Sequence, residues 1–155
     1  SSMDLGEGML VGNSSQALFL IHSENVENPF VNTRPFRVNA GPVHAYIRMA
    51  DGGTKYLSEI RTGDRVLIVN FEGRSYPAVV GRAKVERRPL VLVEAEEKGQ
   101  TISVILQNAE TIPLIQPDGK AVSLIDLREG SEVLVYREKG GRHFGVQIDE
   151  TIRER

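Results

Sequence analysis

Residues 34–46 hold the densest set of chemically able side chains in the chain: Arg34, Arg37, Asn39, His44 and Tyr46. An arginine fork suits a carboxylate, histidine takes protons near neutral pH, and an amide beside a phenol can hold a developing oxyanion. A four-residue loop at 40–43 predicts a hairpin in which Asn39 faces His44, Val38 faces Ala45, Arg37 faces Tyr46 and Phe36 faces Ile47. Polar then meets polar and apolar meets apolar, whereas a one-residue slip would turn one strand's apolar side to water. Arg37, Asn39, His44 and Tyr46 would share one sheet face. The plainer alternative for Arg37 is a solvated strand arginine.

A second group begins at His22, which ends the apolar run 17–21 and shares strand parity with Leu18 and Leu20. Glu24 follows two residues on, so in extended chain both side chains lie on one side, as an acid–base pair or two metal ligands. Adding His44 gives a two-histidine, one-carboxylate set, although spacing this loose names no metal. The competing reading is a half-buried histidine satisfied by backbone. Further along, Arg82, Lys84, Glu86 and Arg88 alternate with Gly81, Ala83, Val85 and Arg87, which predicts a mostly basic strand face. Such a face is ordinarily solvated; Lys84, or Lys55, becomes a Schiff-base candidate only if the chemistry has an imine step. Gln107, Asn108 and Glu110 form either a polar turn or a second wall of the site.

These side chains sit in a chain of 155 residues with 40% apolar and 26% charged residues, enough for a real core. A net charge of -2 lacks the basic footprint of a nucleic-acid binder, so no nucleic-acid partner is expected. The absence of cysteine excludes disulfides and thiolate chemistry. Without an apolar leader or a bilayer-length apolar run, a cytoplasmic chain with no membrane partner is the expectation. The opening Ser1-Ser2-Met3 suggests a fragment or a tag remnant.

Positioning falls to strands. Residues 9–12 and 17–21 predict two of them, and 23–33, with Pro29, predicts a loop. Glycines 6, 8 and 12 precede a strand-like run where a dinucleotide loop needs a helix N-terminus. From 51 onward the sequence repeats at an offset of 67: Asp51-Gly52 matches Asp118-Gly119; Leu57, Arg61, Gly63, Val66 and Leu67 match Leu124, Arg128, Gly130, Val133 and Leu134; Gly73, Val79 and Arg88 match Gly140, Val146 and Arg155. Spacing kept from 51–88 to 118–155 argues for a duplicated unit of turn, short strand, one helical turn ended by glycine, and hairpin. Between the copies, 90–94 and 101–107 predict another hairpin around residues 97–100. Helical periodicity is nearly absent. The expectation is an all-β chain of two related small barrel-like or sheet units, divided as 1–50, 51–107 and 108–155.

The blocks Gly6-Glu7-Gly8-Met9-Leu10-Val11-Gly12, His22-Ser23-Glu24, residues 34–46, Thr54-Lys55-Tyr56-Leu57-Ser58-Glu59, residues 80–90 and Leu106-Gln107-Asn108-Ala109-Glu110-Thr111 together resemble 3-dehydroquinate synthase type II, the archaeal-style enzyme of the alternative shikimate route. The resemblance spans nearly the whole chain and corresponds to the family's C-terminal half. It implies an enzyme that uses NAD to oxidise the amine of an amino-keto sugar acid, releases ammonia and closes the ring by an internal aldol step. It implies as partners that small-molecule substrate and an upstream N-terminal domain, and it leaves a homo-oligomer open. A related branch that makes an aminohydroxybenzoate with a divalent metal, and a non-catalytic packing or oligomerisation module, stand as alternatives. On the enzyme reading, Arg34 and Arg37 hold the substrate carboxylate, Asn39 and Tyr46 the enolate oxygen, and His22, Glu24, His44 and Lys84 the proton and imine chemistry.

Overall fold

The unbroken apolar run 17–21 is what a strand needs when both of its faces are buried, and all six residues of that strand are buried. A computed structural model of the protein describes residues 6–22, 38, 40–109, 112–137 and the backbone of 143–153. At its centre β1 (Glu7–Ser14) and β2 (Ala17–His22) form an antiparallel hairpin centred on the pair Leu10 and Leu20. The rest of the chain supplies β3 (Tyr46–Arg48), β4 (Thr54–Tyr56), β5 (Arg65–Asn70), β6 (Ser75–Val79), β7 (Leu90–Glu97), β8 (Gln100–Gln107), β9 (Pro113–Ile115), β10 (Ala121–Ser123), β11 (Glu132–Arg137) and β12 (His143–Arg153), with 3-10 turns at Leu57–Glu59 and Leu124–Asp126. The fold is all-β, and one twelve-stranded network of hydrogen bonds joins these strands.

Side-chain alternation splits the central hairpin into two apolar faces. Val11, Phe19 and Ile21 join the larger core, which the β7–β8 hairpin closes with Val91, Val93, Ala95, Val104 and Leu106. Leu10, Leu18 and Leu20 form a second cluster with Val69, Ile115 and Leu134, bordered by Tyr46, Leu67, Phe71 and Tyr136. Each fully buried large side chain contributes about 1.5–3 kcal/mol, so both faces hold the hairpin firmly. Gly8 is obligatory at this centre, because a Cβ there would lie 1.8 Å from the Ile21 carbonyl oxygen.

The outer edges of β1 and β2 are used in the same way. β1 pairs with β5 and β3, through Glu7 to Asn70, Gly8 to Val69, Met9 to Ile68 and Val11 to Ile47. β2 pairs with β11 and β9, through Ala17 to Arg137, Leu18 to Tyr136, Phe19 to Val135 and Ile21 to Leu114. Adding 10 to each hairpin number and 67 to each partner number converts the first set into the second. The pairings on the two outer edges therefore correspond two-fold about the Leu10 and Leu20 pair. Turn hydrogen bonds obey the same offset: Leu57 N–H to Ala45 O and Leu124 N–H to Ile112 O are both 2.8 Å. Arg61 and Arg128 each donate to the carbonyls three and one residues earlier.

Three sequence expectations are corrected. Pairing 36–39 with 44–47 needs a free edge at Tyr46 and Ile47, and both edges are taken: Tyr46 lies between Gly12 and Tyr56, and Ile47 between Val11 and Lys55. Phe36, Arg37 and Asn39 themselves lie outside the described residues. Pro42 to Ala45 instead form a turn closed by a 3.0 Å hydrogen bond from Ala45 N–H to Pro42 O. Residues 81–89 are exposed throughout and belong to no strand, so the alternation there lacks the partner that would make it a sheet face. Gly63 does not end the 3-10 turn; Ile60 leaves it in extended conformation, and Gly63, at φ 94, is the third residue of a separate turn closed from Asp64 N–H to Arg61 O. That place in a type II turn requires positive φ.

The hairpin predicted around 97–100 forms with longer strands. Lys98 and Gly99, at φ 48 and 78, make the two-residue loop with both angles positive that suits the strand twist.

Candidate functional site

Three polar residues are buried among the described ones, Glu7, His22 and Arg48. Under the two-fold correspondence their counterparts are Ala17, Gly12 and Ile115. The scaffold accepts an apolar residue or glycine at each equivalent place, so packing alone does not demand the polar group.

His22 and Arg48 share the Leu10, Leu18 and Leu20 face by strand parity. His22 is 2% exposed, and its Nε2 accepts a 3.1 Å hydrogen bond from Gly6 N–H. Acceptance at Nε2 puts the ring proton of the neutral form on Nδ1. The expected parity with Leu18 and Leu20 holds, and so does backbone satisfaction of the ring.

Arg48 is 5% exposed. Its guanidinium donates to the carbonyls of Gly52 and, at 3.5 Å, Ser15, and lies 5.5 Å from the Tyr136 ring centre. Gly12 stands between Tyr46 and Leu18 on this face with its place already filled: a Cβ there would lie 2.7 Å from the Ala17 carbonyl oxygen and 3.3 Å from Leu18 Cδ2. Arg48 Nε is buried with no hydrogen-bond partner among the described residues. A cation desolvated among carbonyls and a π face rather than a carboxylate is a polarised group, and its fork is fixed in orientation.

Tyr46 lies directly across from Tyr56, with ring centres 4.7 Å apart and hydroxyls 3.1 Å apart. The shared hydrogen bond, then the charge of a neighbouring phenolate, raises the Tyr46 pKa. The raised pKa keeps the Tyr46 phenol protonated, and the Glu59 carboxylate fixes Tyr56 by accepting from its backbone N–H at 2.9 Å. Glu7 faces the larger core, where Tyr76 donates to its Oε1 at 3.3 Å.

The remaining predicted residues divide. His44 is exposed, in the turn before β3. Lys84 is exposed and ion-paired with Glu86, which Arg88 also grips with two hydrogen bonds of 2.9 and 2.7 Å. The hydrogen bond from Lys84, then that from Arg88, holds the Glu86 carboxyl down to about 2. Lys84 thus lacks the apolar pocket of a Schiff-base lysine. Lys55 pairs with Asp64 at 3.5 Å. Gln107 closes β8, and Asn108 N–H binds Pro89 O at 2.9 Å. Glu24, Arg34, Arg37, Asn39 and Glu110 lie outside the described residues.

His22 and Tyr46 are not neighbours. Four positions along β1 and two strand spacings separate them, roughly 16 Å between Cα atoms. Among the described residues no three His, Cys, Asp or Glu converge as a metal site would require. Sequence reasoning missed Arg48, Tyr56 and Glu7. Arg48 and Tyr46 share parity two residues apart, which was the available signal for the first of them.

These features define an all-β domain in which two of the three buried polar side chains among the described residues, His22 and Arg48, share the Leu10, Leu18 and Leu20 face and the third, Glu7, faces the larger core. A family model described as the 3-dehydroquinate synthase II C-terminal domain matches residues 1–155, and the chain belongs to that family. It is 60% identical over 158 residues to a 3-dehydroquinate synthase of Methanopyrus kandleri, covering 100% of this chain and 39% of that protein. It is 60% identical over 155 residues to the Methanocaldococcus jannaschii 3-dehydroquinate synthase, covering 43% of it. A 3-dehydroquinate synthase homolog of Aquifex aeolicus is 55% identical, with 47% covered. The chain spans less than half the length of these curated relatives.

Proposed function

We propose that the chain is the C-terminal part of a type II 3-dehydroquinate synthase, acting in NAD-dependent oxidative deamination of 2-amino-3,7-dideoxy-D-threo-hept-6-ulosonate with aldol closure to 3-dehydroquinate. The observation that carries this reading is 60% identity across the full chain to proteins of that name. The same relatives, named as 3-dehydroquinate synthases, support a cytoplasmic role. The 67-residue recurrence of elements supports an origin by duplication of one β unit.

The described residues do not fit a dinucleotide cradle. Gly8 is filled by the Ile21 carbonyl and Gly6 by the Phe71 ring, so these glycines serve strand packing and not phosphate approach. NAD therefore enters with the family resemblance and is assigned no residue here. On the substrate side, Arg34 and Arg37 bind the carboxylate, Asn39 and Tyr46 donate to the enolate oxygen, and His22 or His44, with Glu24, moves protons. The Tyr46 and Tyr56 pair supports the donor role, because the hydrogen bond from Tyr56 raises the Tyr46 pKa and keeps its proton available.

The full-length enzyme given NAD and the amino-keto acid is expected to form NADH and 3-dehydroquinate, and failure to do so removes the reading. In that enzyme Arg37→Ala should raise KM about 10- to 100-fold, the value of a hydrogen bond to a charged group. Unchanged constants would take Arg37 out of the site. A packing module remains the second reading, favoured by the open, shallow form of the clefts lined by the described residues; NADH formation by this chain alone would remove it.

A further inference from the structure

Residues 80–86 occupy, at the offset of 67, the place of residues 147–153. In the second unit that stretch is the far half of β12, paired antiparallel to β7 from Gln147 with Glu96 to Arg153 with Val91. In the first unit the equivalent stretch leaves β6 and pairs with nothing among the described residues. Val80 is held by Gly63 and Asp64, Gly81 O by the Thr62 hydroxyl at 3.2 Å, and Pro89 by Asn108. Between these anchors the backbone of 82–88 makes no hydrogen bond to described residues, and Val85 is 73% exposed. Glu86 clamps Lys84 and Arg88 along one side, which favours an extended arm.

We propose that residues 81–88 are a strand awaiting its neighbour, and that the polypeptide preceding this domain in the longer protein supplies that neighbour in the role β7 plays for β12. The proposal rests on reading the chain as the C-terminal part of a longer synthase. Three observations point to that occupant. The matched family is a C-terminal domain, and more than half of each relative's length lies outside the matched region. An apolar and basic alternation with free backbone groups is the surface that strand addition uses. The arm carries four cations, Arg82, Lys84, Arg87 and Arg88, against Glu86, a net charge of +3 in a chain of net -2, so it suits an acidic neighbour. Glu86 occupies Lys84 and Arg88, leaving Arg82 and Arg87 for that contact.

Amide hydrogen exchange of 82–88 in the full-length protein tests this without reading activity, so loss of the enzymatic assignment would leave the result interpretable. Protection of about 100-fold or more over an unstructured peptide, independent of protein concentration, is expected. Trypsin should spare Arg82, Lys84 and Arg87 under conditions that cut other exposed basic sites. Exchange at the unstructured rate would overturn the proposal. Protection that disappears on dilution would assign the edge to a second copy and overturn the named occupant. The double variant Arg82→Glu, Arg87→Glu, with the β7–β8 amides as a folding control, should lose at least about 10-fold of the protection. Full protection in that variant would overturn the acidic character of the neighbour.

Discussion

Arg48 is a buried charge that, among the described residues, two backbone carbonyls and a ring hold: Gly52 and Ser15 take its N–H groups and Tyr136 takes its face. Truncation removes volume as well as polar contacts, so Arg48→Ala should cost about 2–4 kcal/mol, while Arg48→Met, which keeps the volume, should cost about 1–2. Urea midpoints at unchanged m check the order; a Met variant as weak as Ala would show that the polar contacts dominate. Asp64 and Ser131 form a second residue-level contrast. Asp64 Oδ2 accepts from Arg61 N–H at 2.9 Å, and Ser131 Oγ accepts from Arg128 N–H at 3.0 Å. The bond from Arg61 lowers the Asp64 pKa, with Lys55 helping. A depressed carboxyl stabilises above its ordinary value of 3.8 and loses that contribution as pH falls through the lowered value. Acidification below pH 3.8 should therefore reduce the protection factor of the Arg61 amide and leave that of Arg128, whose cap does not titrate.

At the scale of elements, equivalent turns should respond equally. Gly63 and Gly130 hold φ of 94 and 93 with open space where a Cβ would go, so each change to Ala should cost about 1–2 kcal/mol, from backbone strain alone. Gly8→Ala forces a Cβ into the backbone of β2 and should cost more than about 3 kcal/mol. Thermal melts of the three variants separate strain from collision. The recurrence of these turns was legible because turn chemistry is local: Asp51 and Asp118 each cap the backbone two residues on, and Gly52 and Gly119 take the positive φ that follows each of them. The extent of the recurrence was not legible. It reaches back to Tyr46–Arg48 and Pro113–Ile115, where pairing is conserved but Tyr, Ile and Arg stand against Pro, Leu and Ile. Residues 34–46 were grouped by their chemistry, and the alternating polar pattern fitted a local hairpin. The neighbours that won, β1 and β4, include one far away in sequence, which no local pattern encodes. Residues 81–89 failed for the related reason that alternation specifies a strand's faces and not the existence of its neighbour.

For the whole molecule, the central hairpin is the part on which the sheet depends, since β3, β5, β9 and β11 all pair with it. Removing residues 1–22 should abolish the cooperative thermal transition instead of leaving two small folded units; a surviving transition in 23–155 would mean that the units are autonomous. His22 kept its predicted parity, because alternation along one strand is a local property. Its separation from Tyr46 was hidden, because it depends on which strands stand between them. The same centrality has a cost during synthesis. The most apolar strand is made well before its partners: Ile21 meets Leu114, which lies 93 positions later, and Ala17 meets Arg137, 120 positions later. Until those residues leave the ribosome, Leu18, Phe19, Leu20 and Ile21 present a bare strand edge of the kind that seeds aggregates, and the nascent chain is an expected client of chaperones that shield such segments.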